Sequence, residues 1–572
     1  MRSLCRAMAA PWPGLQFPDG TYPDYLHHDE APASTRYGEA MLGYGLLMTG
    51  VREGDEALVE AGLGGVNWFV GQTRLQRDHP SVFANAAVAS AYNFARRHVA
   101  DRPLFDHHRA DWEAWLRRAQ LLWLPDTDHY ANKYLVEVLA VLELLDTGLD
   151  SNVSGSVLAH DASARQLAED LINHKVPAMA DAGAFAVGDK RAYFLSDPEG
   201  GNPLAYQGLS FGLYGRSMQL LGNRASDAAK TTLRLVAQAS WGLMGPDGDV
   251  AYHGRSQEQA WALALTANGA EAAVALAGAS SARHHPVAQR ALARVRDVHG
   301  VGPKGLYLTP SLREDLRDRL HGVDTYAGVV GYSGLTLVAA NWATDLRDDE
   351  HPPADDGGGH AGYEYALDPS KTGFAVVRRD GLWFAVRAAA KTAADDLRYD
   401  FGLVALKTRA GDDGWVDVVR PRPHTRTGPD SAGPVLRRSA GIGLPEGERL
   451  SVAGDGTVTL AGGFRTVAGD WLRRGVHFRF QPHEGGVRLI FPTEPGDRIK
   501  YSVFFDAHGD ERPTVGNHSV SDATQRVQFA PDAEVAFDAA EYASGRDATL
   551  VRANLYFKES DGGPVHIVVK PA

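Results

Sequence analysis

The sequence predicts a helical part followed by an all-strand part: an array of helical hairpins, then an antiparallel β-sandwich. Three observations predict it. Apolar residues recur at helical spacing through one segment after another from about residue 34 to 346. The stretch DDEHPPADDGGGH, 348–360, combines acids, two prolines and three glycines without an apolar period, the composition of a linker or exposed loop. Beyond it the pattern changes to apolar and polar residues in alternation.

Residues 1–33 read as an N-terminal extension. Ser34 or Thr35 can cap the first helix, in which Tyr37, Met41, Tyr44 and Met48 recur at helical spacing. A break at Gly54 leads into DEALVEAGLGGVNWFVGQ, so two antiparallel helices follow from one short turn. The helical period returns in SVFANAAVASAYNFARRH, RADWEAWLRRAQLLW, YLVEVLAVLELLDTG and ASARQLAEDLINH. It returns again in YQGLSFGLYGRSMQLLG, SDAAKTTLRLVAQASWGL, SQEQAWALALTANGAEAAVALAG, PVAQRALARVRDV and YAGVVGYSGLTLVAANWATDL. The step Gly-Arg-Ser occurs in LYGRSMQ (213–219) and YHGRSQEQ (252–259), with Arg216 and Arg255 39 residues apart. That is about one helical hairpin, so the two arginines are candidates for equivalent places in successive hairpins. A linker is expected over 347–361 and strands over 362–572. FAVVRRDGLWFAVRA is a hairpin about Arg-Asp-Gly, and GLVALKTRA, WVDVVRP, RLSVAGDGTVTLAGGF, VHFRFQPH, VRLIFPT, IKYSVFFDA, VQFAPDAEVAFDA, ANLYFKE and VHIVVKP continue the strands.

Composition narrows the function classes. A chain of 572 residues, 44% hydrophobic, is long enough for two or three sizeable cores. Its single cysteine, Cys5, excludes an internal disulfide. The net charge of −13 has the wrong sign for general attraction to nucleic acid. No run approaches the roughly 18 apolar residues of a membrane span, and the apolar part of MRSLCRAMAAPWPG is short for a signal peptide. A soluble chain with no membrane or nucleic-acid partner is expected. The clusters His27-His28-Asp29-Glu30, Asp106-His107-His108 and His284-His285 lack His-x-x-x-His spacing, so solvated surface is expected there and no metal or cofactor.

A helical array followed through a linker by an all-β part resembles the polysaccharide lyases built from an incomplete α/α toroid and an antiparallel β-sandwich, the plan of alginate lyases, chondroitin and hyaluronan lyases and the heparinase II/III group. In those families a Gly-containing turn leads into an inner helix, with catalytic His, Tyr and Arg around it. PDGDVAYHGRSQEQAW, 246–261, with Asp247, Gly248, Asp249, Tyr252, His253 and Arg255, is similar to that arrangement. The resemblance implies an acidic polysaccharide substrate and β-elimination: neutralisation of a uronate carboxylate by Asn and Arg, and proton transfer by Tyr or His.

Under that resemblance Tyr206 or Tyr214 and Tyr252 are the candidate base and acid, and His253 is an alternate base. Asn132, flanked by His129 and Tyr134 in DHYANKYLVEV, is a candidate carboxylate binder together with Arg216 and Arg255. Glu258 and Arg422 complete the candidate binding set, Arg422 lying with His424 and Arg426 in RPRPHTRTG, 420–428. Each has a plainer reading. Asp249 or Ser256 can cap a helix, Asn132 can be incidental to a first helical turn, and tyrosines eight apart more often pack a core than catalyse. Trp68, Trp123, Trp241 and Trp261 are candidates for sugar-stacking walls or core. The rival chemistry is glycoside hydrolysis by paired carboxylates among Asp247, Asp249, Glu258 and Asp197. A non-catalytic glycan-binding role is the other alternative.

Overall fold

A computed structural model describes the chain except residues 25–36, 73–80, 127–129, 196–202, 311–327, 348–363, 369–372, 380, 389–399, 411–413, 421, 423–430, 508–511 and 543–549. Ser34, Thr35 and the segment 348–360 therefore lie outside the described residues. The helices of eight residues or more are α1 (Arg2–Ala9), α2 (Gly38–Glu53), α3 (Glu56–Gly71), α4 (Val82–His98), α5 (Arg109–Leu116), α6 (Ala131–Asp146), α7 (Asp161–Asp170), α8 (Leu204–Leu221), α9 (Asp227–Leu243), α10 (Ala260–Ala277), α11 (Ser281–Arg294) and α12 (Gly328–Leu346).

Helices α2, α4, α6, α8, α10 and α12 pack side by side in that order, and α12 returns to pack on α2. The α/α toroid expected from the sequence is present, and where an incomplete ring was expected the ring closes. Its inner helices are buried on nearly every face, which an almost uninterrupted apolar sequence allows. Outer helix α11 buries one face only, and α9 does so in its first half before it is enclosed from Val236 to Leu243. Closure depends on small residues: a Cβ on Gly334 would collide with the backbone of Leu42. α10 is long and apolar enough by composition to cross a membrane, contrary to expectation, yet 83% of it is buried inside the protein. It is a wall of the ring. α1, within the expected N-terminal extension, packs against α12 and α2, burying the free thiol of Cys5 3.9 Å from the Thr344 hydroxyl.

Apart from a two-stranded ribbon, Val301–Gly302 with Gly305–Leu306, the described strands form two antiparallel layers. The first comprises β1 (Ala184–Val187), β2 (Lys190–Tyr193), β3 (Glu364–Asp368), β4 (Phe374–Arg379), β5 (Leu382–Arg387), β6 (Gly402–Arg409) and β7 (Trp415–Asp417), ordered β2-β1-β3-β4-β5-β6-β7. The β1–β2 hairpin comes from between α7 and α8, and the sequence reading did not foresee it. It joins the helical part to the sheet through Ala186 opposite Leu367 and Val187 opposite Ala366. The second layer comprises β8 (Val435–Arg438), β9 (Gly441–Val452), β10 (Val458–Arg465), β11 (Trp471–His483), β12 (Gly486–Pro492), β13 (Arg498–Asp506), β14 (Thr514–Gly516), β15 (Ser519–Ser521), β16 (Gln525–Ala530), β17 (Ala533–Tyr542), β18 (Leu550–Phe557) and β19 (Pro564–Pro571). Its order is β14-β15-β16-β19-β12-β11-β10-β9-β8-β13-β18-β17.

The first sheet is buried on both faces, so β4 and β5 read as continuous apolar runs. Phe374, Val376, Trp383 and Ala385 face the helical core. Their alternates Ala375, Val377, Phe384 and Val386 face the second sheet. A charge on such a strand needs a partner at once, and both Arg387 and Lys407 are buried here.

Two histidines give the fold a pH dependence. His299 is fully buried, its Nδ1 3.1 Å from the carbonyl of Tyr307; desolvation, aided by the Arg294 charge, pushes it down to about 3. His284 is pushed down to about 4, chiefly by burial. The expected solvated surface at His284-His285 is thus corrected, since α11 turns these residues toward α10, where His285 meets the buried Glu271 at 2.7 Å. Both depressed histidines fold neutral and bind protons when unfolded, so their contribution is full above about pH 6.5 and falls as pH drops toward 3–4. Replacing His299 by Gln should flatten the acid limb of a stability-against-pH curve between those values. An unaltered slope would show that His299 does not control it.

Candidate active site

Inner helices meet first turn to first turn and last turn to last turn. At one end the Tyr206 ring stands edge-on to Trp261 (centroids 5.8 Å, 85°), and Trp261 stacks on Tyr332 (6.2 Å, 27°). These residues open α8, α10 and α12. Asn132 lies in the first turn of α6, the inner neighbour of α8, and its buried Oδ1 has no hydrogen-bond partner among the described residues. Helix N-termini direct unpaired N–H groups outward, which favours an anion.

The segment leading into α10 supplies the rest. Residues 250–259 form a loop that is buried except at Arg255 and contains a hydrogen-bonded turn, Gln257 N–H donating to the Gly254 carbonyl at 3.2 Å, and Ser256 and Glu258 both have φ of 59°. Left-handed non-glycine backbone costs about 1–3 kcal/mol per residue and persists where its surroundings impose it. The surroundings here are explicit. Leu204 N–H donates to the His253 carbonyl at 3.2 Å, Glu258 N–H to the Ala251 carbonyl at 2.8 Å, and Gln257 Nε2 to the Arg422 carbonyl at 2.6 Å. Gly248, with φ of 87°, has the Arg290 carbonyl where a Cβ would stand. The loop holds the Arg255 guanidinium over the Tyr206 ring, 4.3 Å from its centroid.

His253 is buried beneath the sheet. Phe374 of β4 packs on its ring at 5.5 Å, and Arg387 of β5 meets its Nε2. A guanidinium only donates, so Nε2 accepts and the imidazole is the neutral Nδ1-protonated form. The Nε2 lone pair is occupied, which removes His253 as a base at that nitrogen. Arg387 was missed by sequence reasoning. Its signal was present: an arginine ending LWFAVR, a strand otherwise apolar throughout.

Several expected members fall elsewhere. The Tyr252 hydroxyl donates to the Leu243 carbonyl at 2.7 Å, and its ring packs edge-on to Trp383. Burial holds its phenol well above the usual tyrosine range, so it anchors the loop and is no acid. Tyr214 is fully buried, bonded at 3.2 Å to the carbonyls of Ile172 and Ala229, toward the outer layer. Eight helical residues leave about 80° between side chains, so Tyr206 and Tyr214 do not share a face. Arg216 sits near the last turn of α8, ion-paired to Glu143 at 2.7 Å and 5.2 Å from the Trp342 ring. It lies about 15 Å along the helix from Tyr206. The Gly-Arg-Ser echo is therefore no structural repeat, since Arg255 precedes its helix. Arg422 is buried, donating to the Leu403 carbonyl at 3.1 Å with Asp400 at 3.6 Å. It closes the core and does not reach for a polymer. Tyr134 donates its hydroxyl to the Asp126 carbonyl at 2.7 Å. His129, Asp197, His424 and Arg426 lie outside the described residues.

The carboxylates proposed for hydrolysis are occupied. Lys407 Nζ lies 2.8 Å from Asp247, 3.2 Å from Asp249 and in direct contact with Asp417. Arg294 bonds Asp247 and reaches Glu258 at 3.3 Å and Asp249 at 3.4 Å. Asp247, Asp249 and Asp417 converge closely enough to share a cation, and the Lys407 ammonium takes that position. Glu258 is thereby a structural partner of Arg294, against its expected place in the binding set.

The architecture so defined is a closed helical ring against which, at outer helix α9 and the loop entering α10, an antiparallel sheet packs, with a second sheet beyond. No known protein family and no curated protein matches the sequence. Among solved structures the chain is similar to heparan sulfate lyase HepC from Pedobacter heparinus, at 12% identity over 99% of this chain and 83% of that one, TM-score 0.43. It is also similar to a heparinase III gene product, at 8% identity over 100% and 84%, TM-score 0.45. A glycosyl hydrolase family 88 protein from Bacteroides vulgatus matches at 9% identity over 60% of this chain and 98% of its own, TM-score 0.38. These are likenesses of layout alone.

Proposed function

We propose that this protein cleaves a uronate-containing polysaccharide by β-elimination where the inner helices begin. The observation that carries the reading is Tyr206 under the Arg255 guanidinium at the first turn of α8. A fixed positive charge against the ring suits a tyrosine that must pass through a phenolate. Tyr206, ionised beside Arg255 with its own proton lost to solvent, takes the C5 proton. The electron pair left on C5 forms the C4–C5 double bond as the C4–O bond breaks, and the departing oxygen takes its proton from the Tyr206 phenol so formed, which regenerates the phenolate. The C5 proton becomes acidic only when the adjacent carboxylate is neutralised, and Arg255 and the Asn132 amide are the donors in this reading. One preorganised donor of that kind is typically worth about 10²–10³ in kcat. Arg387 fixes the His253 tautomer, and the His253 carbonyl in turn anchors the start of α8. The occupied carboxylates of the Lys407 cluster weigh against hydrolysis.

The test is the product. Purified protein incubated with alginate, hyaluronan, heparan sulfate and glucuronan should release oligosaccharides that absorb in the ultraviolet through a new C4–C5 double bond. New reducing ends without that absorbance would establish hydrolysis instead. Bound polymer without any product would leave a glycan-binding role.

A further inference from the structure

The second sheet buries one face against the first, through Leu460, Phe478, Phe480, Leu489, Ile567 and Val527 among others. Its other face is turned to solvent, and the strand register fixes which side chains share it, because residues directly opposite in antiparallel strands project to one side. One cross-strand row runs Ser451, Thr459, Arg479, Ile490, His566 and Ala530, each opposite the next. In the adjoining rows Arg449 stands opposite Ala461 and thence His477, Arg488 stands between Gln481 and Val568, and Arg526 is opposite Lys570.

The cations step one row at a time: Arg449 on β9, Arg479 on β11, Arg488 on β12, then Lys570 on β19 beside Arg526 on β16. They form a diagonal stripe across six adjacent strands. At about 4.8 Å between strands and about 3.4 Å per residue along them, the stripe is about 30 Å long. The rows that carry these cations hold no Asp or Glu, although Glu448 is exposed beside Arg449 at the β9 bulge and Glu446, opposite Gly463, pairs with Arg465. Glu484, in the β11–β12 turn, approaches Lys570 at 3.5 Å, while Arg449, Arg479 and Arg526 are exposed. The local field is positive in a chain of net charge −13: after burial, the Arg488 charge is what lowers His566 and His483 on this face.

We propose that this stripe is a second binding site for an extended anionic polysaccharide, separate from the candidate active site. A line of guanidiniums suits repeated carboxylates or sulfates, which arginine binds bidentately. Ile490 and Val568, partly exposed between the charges, offer apolar contact to sugar rings. The rows of the stripe hold no Trp, Tyr or Phe on which nucleic acid bases would stack, and Trp471 at the far end of β11 is covered by Arg465 and Arg474. The choice of a glycan among polyanions rests on the proposed function, but the stripe does not depend on the chemistry at Tyr206.

The test compares the full chain with the triple variant Arg449→Gln, Arg479→Gln, Arg526→Gln, whose altered side chains are all exposed. Affinities for long-chain alginate, which carries only carboxylates, and for heparan sulfate, which adds sulfates, are measured at two salt concentrations, with single-stranded DNA as a control polyanion. The variant should bind one or both polysaccharides about tenfold more weakly, with a flatter salt dependence and an unchanged melting temperature. Which polymer loses affinity identifies the anion recognised. Tyr206→Phe should bind the polymer as the parent does, so loss of cleavage and loss of stripe binding are read independently. Unchanged polymer affinity in the triple variant, or tighter binding of DNA than of either polysaccharide by the parent, would overturn the proposal.

Discussion

Replacing Lys407 by Met should lower the free energy of unfolding by about 3–5 kcal/mol, the range for removing one partner from a buried ionic cluster. Methionine keeps most of the aliphatic stem, so packing against the sheet changes little and the loss reports the charge. The ammonium is almost fully enclosed and meets Asp247, Asp249 and Asp417 together. Without it, three carboxylates that approach within 4.8 Å of one another are left with Arg294. The damage should extend beyond stability. The cluster joins β6, β7 and α11 to the loop that carries His253 and Arg255, so the variant should also lose order around Tyr206. A denaturant midpoint and near-ultraviolet circular dichroism measure both effects. A change below about 1 kcal/mol would mean the cluster contributes no more than an exposed ion pair.

Tyr206→Phe should reduce kcat on the cleaved polyuronate by about 10²–10⁴-fold, the usual contribution of a positioned proton-transfer group. KM should change little, because the ring stays edge-on to Trp261 and beneath Arg255 and only the hydroxyl is removed. Initial rates of unsaturated-product formation measure it. A variant with parental kcat would exclude Tyr206 as the base, and Asn132→Ala and Arg255→Met would then show whether the carboxylate donors are correctly placed.

The helical ring and the strands were legible because their patterns are local. Periods of 3.6 and 2 mark α8 and β5 without reference to any neighbour. Tyr206, Asn132 and Arg255 could be assigned to one end of the ring for a related reason, since all lie in or shortly before the first turn of an inner helix, while their catalytic roles are proposed. What completes their surroundings is remote in sequence. Arg387 is 134 residues from His253, and Lys407 is 160 from Asp247. No spacing rule reaches so far, although an Arg and a Lys on strands buried on both faces were each evidence of an unseen partner. Tyr214 and Arg216 were misplaced because a helical position was read as a face without the rotation and rise that eight or ten residues impose. The β1–β2 hairpin in AFAVGDKRAY carried its own mark, the turn dipeptide Gly188-Asp189 directly after the short apolar run AFAV.

That hairpin also constrains how the chain can be made. β1 pairs with β3, which is synthesised some 180 residues later, and α12 must exist before the ring can close on α2. A nascent chain that has emerged only through α11 therefore carries an open ring and an uncovered sheet edge together, each a surface on which other chains can assemble. Severing the chain between its helical and strand parts would make that transient state permanent, so the two parts are expected to be soluble together and prone to aggregate when produced apart.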